Sequence, residues 1–411
     1  MGRLRVEGRI INHDDDSYGQ VEINNETGLI ESIGKNLGPP DIRLKKDELL
    51  FPGFVDIHVH SRDDVSVKQR YKEDFHTVSE AAINGGVVHI ADMPNNPKPP
   101  IDDDSYEKKR ALTTSSLIPI TLYAGIGPDT LPLDIEVPYK AFMGPSVGDL
   151  FFVSQEQLEE AIKKYAGKNV SFHCEDPNIL DANREALTHE LKRPVEAEVL
   201  AIEFALGLIG KYDLNGKICH CSTGGGLERV HGAKSGGYSV TCEATPHHLY
   251  FDENMLTDGN RLWLQMNPPV RSPEDRMALI DGLKKGCIDY LATDHAPHTR
   301  EEKMGGMSGV PNLDTYAAFA TWLIKEHGLE PQDIARICSY NPGSFNNEFG
   351  GEKYGRIEEG YVGSLTVVDL SAPFKVSQSN LKTKCNWSPF EGIVFPGNAS
   401  HTIIRGKVYS K

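Results

Sequence analysis

The segment FPGFVDIHVHSRDD ends an apolar run with His58 and His60 one residue apart, followed by Arg62, Asp63 and Asp64. Side chains alternate along a strand, so residues i and i+2 share a face. Two imidazoles on one face can hold one ion, and neutral imidazole suits zinc. Two polar residues leaving an ordinary strand would look the same. Other short apolar runs end in residues of similar chemistry: Lys140 after IEVPY, His173 in KNVSFHCED, His220 in GKICHCST and Asp294 after YLAT. Alone, each histidine reads as a satisfied core or loop group and Asp294 as a cap or turn residue. Asp294 can also bind a metal and exchange a proton with water that zinc has made acidic. Lys140 is either a solvated charge or, when buried, a neutral amine. A neutral amine adds carbon dioxide to give a carbamate, an oxygen ligand able to bridge two zinc ions. The six together, at strand ends in the order a barrel would present them, point to metal-assisted hydrolysis.

Around this set stand residues suited to a polar substrate. The Arg62 guanidinium matches a carboxylate bidentately, unless it pairs with Asp63 or Asp64. Asn95 follows DMP and Asn267 precedes PPVR, each a donor and acceptor beside rigid prolines, or a plain turn residue. His295 and His298 follow Asp294, and His298 could donate to an anion or merely sit in a loop. Cys219 and Cys221 flank His220 on the opposite side of the strand and, with Cys174, are expected to pack.

These residues need a scaffold that gathers strand ends. The runs GFVDIHVH, GVVHIADM, SLIPITLYAGI, IEVPYKAFMG, KNVSFHCED, GKICHCST, YSVTCEAT and CIDYLATDH read as strands. Helical stretches lie between most of them, including YKEDFHTVSEAAING, SQEQLEEAIKKYAG, RPVEAEVLAIEFALGLIG, SPEDRMALIDGLKKG and LDTYAAFATWLIKEHG. Alternating βα units of this number predict a metal-dependent α/β (β/α)8 TIM barrel over residues 51–355, whose strands meet at one mouth. Residues 1–50 and 356–411 are strand-like and predict a small β-sandwich domain built from both termini. An open doubly wound sheet would carry GxGxxG after its first strand, which is absent there. The run Gly224–Gly226 lacks that spacing and is weak ground for phosphate binding.

A formal net charge of -16 disfavours nonspecific nucleic-acid binding and anionic membranes, while leaving room for an anionic small-molecule substrate in a pocket with its own arginine. Seven cysteines without a CxxC pair suit a reducing compartment. With no apolar signal segment or membrane-length run, a cytoplasmic location is expected.

The chain resembles the dihydroorotases of the amidohydrolase superfamily along nearly its whole length. PGFVDIHVHSR resembles the family's opening metal segment, ADMPNNP the stretch with a substrate asparagine, and YKAFMGPSVGD the segment with a carboxylated lysine. FHCED and ICHCSTG resemble the later histidine segments, QMNPPVR a second asparagine segment, and YLATDHAPHT the catalytic one. The resemblance implies zinc, two ions bridged by carboxylated Lys140. His58, His60, Lys140, His173, His220 and Asp294 would be ligands, with Asp294 also the catalytic acid/base. Arg62, Asn95, Asn267 and His298 would bind substrate. It further implies ring closure of N-carbamoyl-L-aspartate to (S)-dihydroorotate in de novo pyrimidine biosynthesis, and a homodimer or larger homo-oligomer. A one-zinc site is the alternative, with Asp149 and Asp176 as nearby carboxylates. The chain departs from the family at SRDD, at Asn96, and at PNLD with Asn312 and Asp314. Hydantoinases, dihydropyrimidinases and allantoinases share much of the metal scaffold and are the nearest rival readings. A non-catalytic amidohydrolase-like assembly protein is the other.

Overall fold

All eight expected strands form, and they close into a ring. In the computed structural model, which describes residues 2–144 and 150–410, they are Phe54–Val59, Val87–Asp92, a third in two pieces (Ile120–Leu122 and Ala124–Ile126), Tyr139–Phe142, Asn169–His173, Asn215–Ile218, Val240–Ala244 and Tyr290–Leu291. Every neighbouring pair is parallel. A bridge between Val59 and His295 joins the last strand to the first, and the His60 N–H donates to the His295 carbonyl at 2.8 Å. The fold is a (β/α)8 barrel.

The floor of the barrel is packed rather than open. Val55, Ile57, Ala91, Tyr123 and Tyr290 meet Phe345 from the helix Asn341–Asn347. Each large aliphatic or aromatic side chain of this set contributes roughly 1.5–3 kcal/mol by leaving water.

The outer helices begin where the sequence offers caps. Asp74 and Ser154 cap Phe75–Asn84 and Gln155–Ile162, and Ser272 caps Pro273–Lys284. Two helices escape the apolar pattern. Asp103–Leu112 buries only Tyr106 and Lys109. Gly224–Ser235 starts in the glycine run and is capped by Thr223. A Cβ on Gly226 would lie 2.6 Å from Ile202 Cδ1, so that glycine serves close helix packing.

Both termini build one mixed sheet. Arg3–Ile11, Asp16–Asn24, Leu29–Gly34 and Glu48–Pro52 from the start of the chain join Leu365–Asp369, Asn398–Ile404 and Lys407–Ser410 from its end. The two halves meet where Leu365–Asp369 pairs antiparallel with Glu48–Pro52. Alternation gives this sheet two apolar faces. Leu50, Val6, Val21, Leu365 and Ile403 form a core of their own, while Leu49 and Phe51 face the barrel's main core. Among the described residues no helix is long and apolar enough to cross a membrane.

Candidate metal centre and active site

One cavity opens at the C-terminal ends of the strands, with about 420 Å³ of space including its mouth. Nine of the ten residues singled out in the sequence line it: His58, His60, Arg62, Asn95, Lys140, His173, His220, Asn267 and Asp294. Phe142, Ala296, Ser308 and Gly309 complete the wall. The tenth, His298, is fully buried behind Arg62, with Nε2 3.3 Å from Arg62 Nη2 and Nδ1 3.3 Å from Lys72 Nζ.

Three of the four imidazoles, those of His58, His60 and His173, are held by their far nitrogens. His58 Nδ1 is bonded to the Glu243 carboxylate, which leaves Nε2 3.2 Å from Asp294 Oδ1. His60 Nδ1 donates to Asn95 Oδ1 at 2.7 Å, and its Nε2 lies 2.9 Å from the same Asp294 oxygen. His173 Nε2 donates to Glu175 at 2.8 Å, which turns Nδ1 towards His220 Nε2 at 2.9 Å. The His58 and His220 rings, 5.4 Å apart, join the two pairs. Burial lowers His58 to about 4 and lowers His60 and His220 as well, favouring the neutral imidazole that can bind a metal. Burial also raises the Asp294 carboxyl, against the pull of His58 and Lys140. Lys140 is fully buried, and its Nζ donates to Cys219 Sγ at 2.6 Å.

The donor set fits a metal. His58, His60 and Asp294 present ligand atoms that all lie within 4.8 Å of one another. His58 and His60 turn Nε2 to the Asp294 carboxylate, and His173 and His220 face each other beside the buried Lys140 amine. Buried carboxylates behind His58 and His173 supply the orienting partners that metal-bound histidines use.

Backbone strain completes the gathering. Arg62, His220 and Asp294 have φ of 57°, 35° and 46°, a region uncommon for residues other than glycine. Arg62 therefore reaches the cavity by a turn, and not by continued strand extension. The turn at His220 also breaks alternation. Cys219 faces Lys140 inside the barrel instead of packing on the opposite side, and His220 still reaches the cavity.

Comparison with known proteins identifies the family and the fold. The profile of the amidohydrolase family matches residues 145–409. A dihydroorotase from Pyrococcus furiosus is 35% identical over 93% of this chain and 87% of its own length. One from Methanosphaera stadtmanae is 31% identical over 95% and 93%. The chain belongs to the amidohydrolase family. Among solved structures, an L-hydantoinase (dihydropyrimidinase) from Arthrobacter aurescens superposes with a TM-score of 0.90 at 25% identity, covering 100% of this chain and 96% of that one.

The positions read in the sequence as departures from the family pattern do not line the cavity and make structural contacts. Asn96 accepts from Lys109, which pairs with Asp92 at 2.6 Å. Asn312 donates to the Thr293 carbonyl at 3.0 Å, and Asp314 accepts from Asn84 and the Lys382 and Thr383 amides. Asp63 pairs with Arg70, and Asp64 accepts from the amides of Ser66 and Lys98. Asp176 caps the helix Pro177–Ala182, and Asp149 lies outside the described residues. His295 accepts from the Asn312 amide behind the barrel wall.

Sequence reasoning missed the supporting carboxylates. Glu243 ends the YSVTCEAT run, and Glu175 lies two residues after His173 in FHCED. Burial pushes the Glu175 carboxyl up, but Arg193 and His173 outweigh it and hold it at about 2. Burial acts likewise on Glu243, where His58 and Lys217 prevail and keep the group below the usual carboxylate range. Their one signal was a charged residue at the inner end of a strand.

Proposed function

We propose that this amidohydrolase is a zinc-dependent dihydroorotase, interconverting N-carbamoyl-L-aspartate and (S)-dihydroorotate in de novo pyrimidine biosynthesis. The observation that carries the reading is Arg62. It is a buried guanidinium on the cavity wall, bonded to the Pro297 carbonyl and touching His298, and among the described residues it forms no ion pair. A buried cation of this kind calls for an anionic partner, and the ring carboxylate of dihydroorotate supplies one. The dihydroorotases matched along nearly the whole chain support the same substrate.

His58, His60 and Asp294 would hold one zinc ion and His173 and His220 a second, with Lys140 as a carbamate between them. Among the described residues no carboxylate pairs with the buried Lys140 amine, which favours its conversion to an anionic ligand. Zinc, when bound, polarises the scissile carbonyl and makes water acidic enough to attack near neutral pH. Asp294 takes the proton of the attacking water and returns it to the ring nitrogen as the amide C–N bond breaks. In the biosynthetic direction the same carboxyl moves the proton the other way and water is lost. Arg62 and Asn95 orient the carboxylate, Asn267 the ring, and His298 braces Arg62 from behind. Holding the reactants this way removes much of the orientation cost.

The hydantoinase-like fold keeps one rival in view: a hydantoinase or dihydropyrimidinase, with an uncharged ring. Zinc-replete protein offered dihydroorotate, hydantoin, dihydrouracil and allantoin separates them. Dihydroorotate is expected to have the highest kcat/KM, and preference for a ring without a carboxylate would reject the proposal.

A further inference from the structure

Glu243 engages three donors at once. It is fully buried on the seventh strand. Its Oε1 accepts from His58 Nδ1 and, at 3.0 Å, from the backbone N–H of His220, while Oε2 accepts from Lys217 Nζ at 2.7 Å. Lys217 is buried too, its ammonium over the rings of Tyr123 and Phe345 at 5.4 and 5.3 Å. His58, Cys219 and Glu243 atoms lie within 4.8 Å of one another, so proximity alone would admit Glu243 as a ligand. The hydrogen bonds argue otherwise. Both carboxylate oxygens are occupied, and His58 meets Glu243 with Nδ1, not with the Nε2 that faces Asp294.

We infer that Glu243 is a positioning residue of the metal centre, fixing His58 as the Nδ1–H tautomer and pinning the left-handed turn that carries His220 into the cavity. Lys217 holds the second oxygen and keeps the carboxylate from swinging in as a ligand. One carboxylate thereby sets the directions of a histidine from each proposed zinc site. The inference rests on the proposed reading of His58 and His220 as ligands.

The test is Glu243→Gln. A glutamine side chain has one acceptor where the carboxylate had two, so either His58 Nδ1–H or the Lys217 ammonium must face its NH2. Metal-free wild type and variant would be titrated with zinc against a chromogenic chelator, with circular dichroism to check the fold. Nitrogen-15 spectra of the metal-free histidines would read the His58 tautomer. We expect a single Nδ1–H tautomer in the wild type, its loss in the variant, and zinc affinity about 10- to 100-fold lower. If Glu243→Gln does not fold, the double variant with Lys217→Met removes the ammonium facing the amide. It is expected to fold and to bind zinc more weakly than wild type. A folded variant with wild-type affinity overturns the inference, as does an X-ray absorption spectrum in which substitution of Glu243 removes an oxygen ligand of zinc. Wild-type protein that binds no zinc overturns the metal reading itself, and this inference with it.

Discussion

Replacing Arg62 with methionine removes a buried charge while keeping an apolar stem of similar length. Burial lowers the guanidinium from its usual 12.5 to about 10. At roughly 1.4 kcal/mol per pH unit, that corresponds to about 3 kcal/mol of lost hydration that the protein does not restore. A bound carboxylate would recover an energy of this order, so its loss should weaken binding of an anionic ring by roughly a hundredfold. Truncating one member of a buried charge pair costs about 2–5 kcal/mol, which brackets the same figure. The assay is steady-state kinetics on zinc-replete wild type and Arg62→Met, with dihydroorotate and with dihydrouracil. The KM for dihydroorotate should rise by about two orders of magnitude, with a change of only a few-fold for the uncharged ring. An equal loss on both rings, or a dihydroorotate KM within about threefold of wild type at unchanged metal content, would refute the assignment of Arg62 to the carboxylate.

Other outcomes follow from the same geometry. Asp294→Asn should keep the fold and lose turnover by about 10²–10⁴-fold, read by kcat with zinc content measured alongside. Lys140→Ala should lose metal, measured by elemental analysis, and regain activity with added small carboxylic acids; unchanged metal content would count against the carbamate. Arg271 donates to Ser222 and to the buried Glu198, which also accepts from the Ser222 amide. Arg271→Ala removes the cation paired with that buried carboxylate and should lower stability by about 3–5 kcal/mol in urea unfolding of the metal-free protein. Glu175, held at about 2 against an ordinary 4.5, contributes stability that is present above pH 4.5 and lost as pH falls towards 2. Glu175→Gln should remove about 3 kcal/mol of that acid dependence from the metal-free protein.

The residues legible in the sequence were those whose signal is local. An apolar run followed by a donor marks a strand tip, and the five tips that carry the proposed ligands could be read one by one. The partners that aim those donors are not local: Glu243 is 185 residues from His58, and one sequence carries no trace of that pairing. Backbone reversal was equally hidden. Strand alternation put Cys219 opposite His220, whereas Cys219 contacts Lys140 and the left-handed turn still lets His220 reach the cavity. The Asp103–Leu112 helix shows no apolar stripe because it buries little. His298 matched its motif, yet it lies behind Arg62 in contact with Lys72, a residue whose charge gave no hint of burial.

The terminal sheet has a bearing on how the molecule comes into being. Glu48–Pro52 runs almost directly into the strand that carries His58 and leads to His60, and its antiparallel neighbour is Leu365–Asp369. On the ribosome, the anchor of that strand must wait through some three hundred residues of elongation before its mate emerges. Such distant pairing is slow to establish. Activity should therefore arise late and all at once, and removing the strands beyond residue 364 should abolish metal retention although no proposed ligand is deleted.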